Sequence, residues 1–171
     1  MSVTDFDNKV AAITGAGSGM GQSLAVLLTR AGCHVAISDL NADGLEETRA
    51  MLNPAVNVSV HVVDVANRKQ MEAFAASANT THSKINMIFN NAGVTVTGLA
   101  EQMPYEDIEW LMNINFWGVV YGCKSFLPYL READEAAIIN TSSIFGTIAV
   151  PSQSAYNASK FAVKGYTYAL R

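Results

Sequence analysis

Short apolar runs alternate along this chain with stretches of helical spacing, and that alternation leaves few architectures open. The runs fall at Val10–Thr14, His34–Asp39, residues 56–63, residues 85–89 and residues 136–140. The first, Val10-Ala11-Ala12-Ile13-Thr14, is apolar throughout rather than alternating, the pattern of a strand buried on both faces. Helical spacing follows over residues 20–31, from Asn41 as a cap toward Leu52 with Pro54 just beyond, over 67–77, over 104–130, and from about Ser154 onward. Pro128 sits awkwardly near the end of the fourth of these. The alternation predicts an α/β fold, a Rossmann-like doubly wound parallel sheet with helices on both faces. Right-handed crossovers then give the strand order 3-2-1-4-5. The 171 residues suit one domain over 1–171, and no repeat, linker or low-complexity tract interrupts them.

Composition narrows the partners. The 11 basic and 15 acidic residues give a net charge of −4, which argues against a nucleic-acid or anionic-membrane surface. The early Asp5 and Asp7, with no basic residue before them, speak against a signal peptide. The longest uncharged run, residues 136–159, carries Asn, Gln, Pro and many hydroxyls and reads poorly as a membrane span. Cys33 and Cys123 lie far apart with no CxxC spacing, which points to core filling in a reducing, cytoplasmic setting. His34, His61 and His82 are scattered and no HExxH is present, so no metal site is expected.

The turn after the first run reads Thr14-Gly15-Ala16-Gly17-Ser18-Gly19-Met20-Gly21. Glycines there let the backbone turn sharply and approach a pyrophosphate, which the N–H groups and dipole of the next helix would hold. Asp39, 18 residues past Gly21, ends the second run. Its carboxylate would either take both hydroxyls of an adenosine ribose and repel a 2′-phosphate, favouring NAD over NADP, or cap the following helix. Tyr156 and Lys160 are four apart and share a helix face. An ammonium beside a phenol favours the phenolate, which suits a general base. Ser143, 13 residues before Tyr156, sits at the end of the fifth strand, where a hydroxyl can hold a substrate oxygen; Ser142 is the competing candidate.

Taken in order, Thr14-Gly15-xxx-Gly19-x-Gly21, Asp64-Val65, Asn90-Asn91-Ala92-Gly93, Asn113-Ile114-Asn115-Phe116-Trp117-Gly118, Asn140-Thr141-Ser142-Ser143 and Tyr156-Asn157-Ala158-Ser159-Lys160 resemble the motifs of the short-chain dehydrogenase/reductase family, in register from Lys9 to Arg171. Asn86 stands where many members carry Asp. The resemblance implies a nicotinamide cofactor held by Gly15, Gly17, Ser18, Gly19, Met20, Gly21, Asp39, Leu40, Asp64, Val65, Asn91, Ala92, Gly93, Tyr156 and Lys160. Asn91 would sit near that cofactor or brace the sheet. The resemblance implies a catalytic set of Asn115, Ser143, Tyr156 and Lys160, with Asn115 holding a relay water and Asn113 its possible substitute. The implied reaction is NAD(H)-dependent hydride transfer on a small-molecule secondary alcohol or ketone, by a homodimer or homotetramer. The alternative is an inactive nucleotide-binding or assembly subunit. An epimerase or dehydratase would need a larger substrate domain.

The resemblance also implies that Arg171 falls inside the Tyr156–Lys160 helix, so that a sixth and seventh strand and a substrate loop lie outside this sequence. The fifth strand is then expected as an open edge. Val94, Val96, Ile144 and Phe145 suggest an apolar pocket wall or packing, while Met103, Met112, Trp110 and Trp117 read as core or interface filler.

Overall fold

A computed structural model describes residues 5–170. Five strands, β1 (Val10–Thr14), β2 (His34–Asp39), β3 (Val58–Val62), β4 (Met87–Asn90) and β5 (Ala137–Asn140), form one sheet in the order β3-β2-β1-β4-β5. Every neighbouring pair runs parallel. Between them lie α1 (Gly19–Arg30), α2 (Ala42–Met51), α3 (Arg68–His82), α4 (Tyr105–Met112), α5 (Gly118–Glu132) and, after β5, α6 (Ser154–Ala169). The predicted α/β architecture and strand order are those found.

Period-two alternation along β1 explains the two layers. Ala11 and Ile13 face a core shared with Ala25 and Leu28 of α1 and Leu45 of α2. Val10 and Ala12 face the other core, with Phe74, Ala75 and Ala78 of α3 and Phe126 and Leu130 of α5. Phe74 and Phe126, both fully buried, meet edge to face at 5.2 Å and lock α3 to α5. Cys33 and Cys123 are unpaired and buried, and burial pushes their thiols up to about 12 and about 11. Such thiols stay protonated and fill space. Among the described residues no helix is long and apolar enough to cross a membrane.

Boundaries differ from those expected of the sequence where tertiary contacts outweigh local pattern. α3 runs to His82 instead of ending near residue 77, because Ala78 packs in the core and His82 reaches Ser59 of β3 at 2.9 Å. Ser83, left-handed at φ 63°, then stops it. The single helix expected over 104–130 is α4 and α5 joined by a π-helical turn, Asn113–Trp117. Pro128 is accommodated inside α5. Two of the histidines dispersed in sequence meet at the sheet edge, where His61 and His82 both reach the Ser59 hydroxyl at 2.9 Å.

Candidate active site

The carboxyl ends of the strands deliver Thr14, Asp39, Asn90 and Asn140 to one edge of the sheet, and the strand order reverses between β1 and β4. Ligands of open parallel sheets bind in that crevice. Here it is a cleft of about 430 Å³ lined by Gly15, Ser18, Gly19, Met20, Asp39, Leu40, Asp64, Val65, Asn91, Ala92 and Gly93, all singled out from sequence, and by Val63, Val94, Trp110 and Ile114.

The glycine turn is shaped by contacts that no side chain would permit. Gly15 is at φ +66°, and a Cβ there would stand 2.8 Å from the Ala92 Cα. A Cβ on Gly21 would run into the Gly15 carbonyl oxygen. Gly17 and Gly21 therefore do not line the cleft but let its wall close. Gly17 donates its N–H to Asp39 Oδ2 at 2.9 Å, while Asp39 Oδ1 accepts from the Asn41 N–H at 3.0 Å. The carboxylate is thus held at the cleft by two backbone donors. The capping role is taken by Asn41, which accepts from Gly44 N–H at 3.1 Å.

The cleft fits a dinucleotide. Ser18 makes no side-chain cap on α1, and the first turn of α1 holds no acidic residue, so the helix-end N–H groups face the cleft without a side-chain competitor. A Cβ built on Gly19 meets nothing within 4 Å, so that flank is open. Among the described residues no lysine or arginine lines the cleft.

Asn91 braces the turn: its Nδ2 donates to the carbonyls of Thr14 at 3.1 Å and Gly15 at 3.3 Å. The Thr14 hydroxyl accepts from the N–H groups of both Asn91 and Ala92, at 3.0 and 3.1 Å. The role of Thr14 was not anticipated; its place at the end of a buried strand, before glycine, was the available signal.

A second, smaller cavity of about 200 Å³ is lined by Met20, Asn91, Gly93, Val94, Thr95, Thr141, Ser142, Tyr156 and Lys160. Helical spacing does put Tyr156 and Lys160 on one face, with Lys160 Nζ 5.6 Å from the Tyr156 ring centroid. Lys160 is buried and donates to the Thr141 carbonyl at 3.0 Å; burial lowers its pKa below the usual lysine range. Asn115, fully buried, pairs with the Val94 backbone in both directions at 2.8 Å and donates to Ser159 Oγ at 3.2 Å. A Cβ on Gly93 would lie 3.3 Å from Asn115 Oδ1 and 3.5 Å from Lys160 Nζ, so both side chains close on that glycine. The π-helical turn, with its extra residue, carries Asn115 at its centre. Asn113 makes no such contact among the described hydrogen bonds.

The two serines divide differently from expectation. Ser142 lines the cavity and donates to the Lys160 carbonyl at 3.1 Å. Ser143 Oγ accepts from the Phe145 N–H at 3.2 Å, capping a short 3₁₀ turn over Ile144–Gly146. Phe145 in turn meets the Tyr156 ring edge to face at 6.0 Å. Asn157 clamps this loop to α6: it accepts from Val150 N–H at 3.1 Å and donates to the carbonyls of Phe145 and Ile148 at 2.7 and 2.9 Å. Nothing in the sequence pointed to that clamp, since Asn157 reads there only as a variable position between Tyr156 and Lys160.

A family model described as short chain dehydrogenase matches residues 9–171. The chain belongs to the short-chain dehydrogenase family. Among its relatives is the putative oxidoreductase SadH of Mycobacterium tuberculosis strain H37Rv, 42% identical over 170 residues that cover 99% of this chain and 62% of that protein. The levodione reductase of Leifsonia aquatica is 33% identical, covering 96% of this chain and 63% of its own. A solved short-chain dehydrogenase/reductase from Burkholderia phymatum, in complex with NAD, superposes with a TM-score of 0.93 at 36% identity, covering 98% of this chain and 60% of that one. The chain thus spans less than two thirds of the length of each of these relatives.

Proposed function

We propose that this chain is the NAD(H)-binding catalytic core of an oxidoreductase that interconverts a secondary alcohol and a ketone, with Tyr156 as general acid/base. One observation carries the reading. The cavity holding Tyr156 and Lys160 shares Met20, Asn91, Gly93 and Val94 with the cleft at the glycine turn, so the two adjoin. Membership of the family, an NAD complex among the solved relatives, and a relative named levodione reductase support it.

When bound, the nicotinamide supplies the hydride acceptor or donor. The protein residues do the rest. Asp39, pinned by two backbone N–H groups, would receive ribose hydroxyls and repel a 2′-phosphate, hence NAD over NADP. Tyr156 Oη would take the alcohol proton in oxidation and return it in reduction, with the Lys160 ammonium 5.6 Å from its ring centroid. Asn115 and Ser159 would secure the inner wall against Val94, with Asn115 serving the water relay to Lys160. Ser143, whose Oγ accepts from the Phe145 N–H, would donate its own O–H to the substrate oxygen and orient it.

The test is turnover of secondary alcohols with NAD, together with NADH titration. Tyr156→Phe is expected to abolish turnover while leaving NADH affinity within about twofold. Equal activity in the mutant would sink the mechanism. A second reading, a nucleotide-binding subunit without turnover, is favoured by the lining of the smaller cavity, where Ser142 and not Ser143 stands with Tyr156 and Lys160. It predicts NADH binding with no alcohol oxidised. In either case we take residues 1–171 as one domain working in the cytoplasm as a homodimer or homotetramer. The half-exposed Trp117 beside α5 and Phe161 on α6 support pairing through those helices.

A further inference from the structure

Part of the lining of the glycine-turn cleft is apolar. Leu40, Val65, Ile114 and Trp110 stand in it together with the carboxylates Asp39 and Asp64. Trp110 lies on α4 one turn before Ile114, so both side chains stand on one helical face and reach the same space. Of the expected roles as core or interface filler, the first does not apply to Trp110, which is 49% exposed and lines the cleft. The chain's other tryptophan, 44% exposed, does not line this cleft. Trp117 meets Phe116 at 5.5 Å and stacks on Tyr121 at 5.9 Å. A slot of one indole and three aliphatic side chains, with no lysine or arginine among the described lining residues, suits a flat uncharged heteroaromatic and offers little to a phosphate or a sugar.

We propose that Trp110 is a specificity-determining wall for the adenine base of the nucleotide, acting beside Asp39 in deciding what the cleft retains. This rests on the cofactor reading above and adds a residue to it. A base held against an aromatic side chain typically loses about tenfold to a hundredfold in affinity when that side chain is removed.

The chain contains two tryptophans, which makes the test direct. In Trp117→Phe, Trp110 is the sole indole emitter. AMP is expected to quench its emission saturably, and nicotinamide mononucleotide at equal concentration to leave it unchanged. Trp110→Leu is expected to weaken AMP and NADH alike by at least tenfold, and Trp110→Tyr, which keeps an aromatic wall, to stay within about threefold of the parent. Unchanged emission of Trp117→Phe at saturating AMP would overturn the proposal, as would Trp110→Leu binding AMP as tightly as the parent. Failure of the unmutated chain to bind NADH at all would instead defeat the cofactor reading itself.

Discussion

Asn115→Ala probes the joint between the cofactor loop and the catalytic helix. The wild-type amide is fully buried and makes three hydrogen bonds, two to the Val94 backbone at 2.8 Å and one to Ser159 Oγ at 3.2 Å. Alanine removes all three and leaves the Val94 N–H and C=O to find water at the cavity wall. At about 1 kcal/mol net for each bond, the loss comes to about 3 kcal/mol, more if the Val94 groups stay dry. A chain of this size loses roughly 2–4 °C in Tm per kcal/mol, so the midpoint should fall by roughly 6–12 °C. The π-helical turn would lose its central tie, and NADH affinity should fall with it, since Val94 borders both cavities. Asn115→Asp separates the contributions: it keeps an acceptor for Val94 N–H but sets a carboxylate oxygen against the Val94 carbonyl. Urea unfolding followed by circular dichroism, with NADH fluorescence on the same samples, measures both effects. A stability loss of less than about 1 kcal/mol with unchanged NADH affinity would refute the reasoning.

Three further outcomes are expected. Asp39→Ser removes a carboxylate held by two backbone donors, and NADH affinity should drop by roughly tenfold to a hundredfold while NADPH gains relative to it, read by fluorescence titration of both. Gly21→Ala drives a methyl group into the Gly15 carbonyl and toward Asn91 Nδ2, so cofactor binding should fail together with a lowered Tm, whereas Gly165→Ala, with nothing within 4 Å, should leave both unchanged. Burial lowers the pKa of His61 and His82 below the usual 6.5, so the unfolded chain takes up protons first as the pH falls. The histidine contribution to stability should therefore be constant above neutrality and be lost as pH drops below about 6.5, and His82→Gln should make the decline between about pH 7 and 5 shallower in urea melts at a series of pH values.

The contrast between Asn115 and Trp110 shows what kind of information the sequence holds. Strand–helix alternation is a local pattern, so the five strands and their order were legible, as was every cleft residue whose motif fixes backbone geometry: the glycines of the first turn, Asp39 at a strand end, and Tyr156 with Lys160 one helical turn apart. Spacing works for these because 3.6- and 2-residue periods translate directly into shared faces. The π-helical turn has no such period; it is held by contacts from Asn115 to Val94, 21 residues away in the chain, and from Gly118 to Val65, where a Cβ would already sit 3.1 Å from Val65 Cγ2. The end of α3 depends in the same way on Ser59, 23 residues distant, and the Ser143 hydroxyl on a turn that only the folded loop creates. Trp110 is the sharper case, because an indole is as suitable for a core as for a ligand wall, and only the opening of the cleft between α4 and the β2 end distinguishes the two. What decides a residue's function here is therefore the presence of space beside it, a property of packing between elements that no single segment encodes.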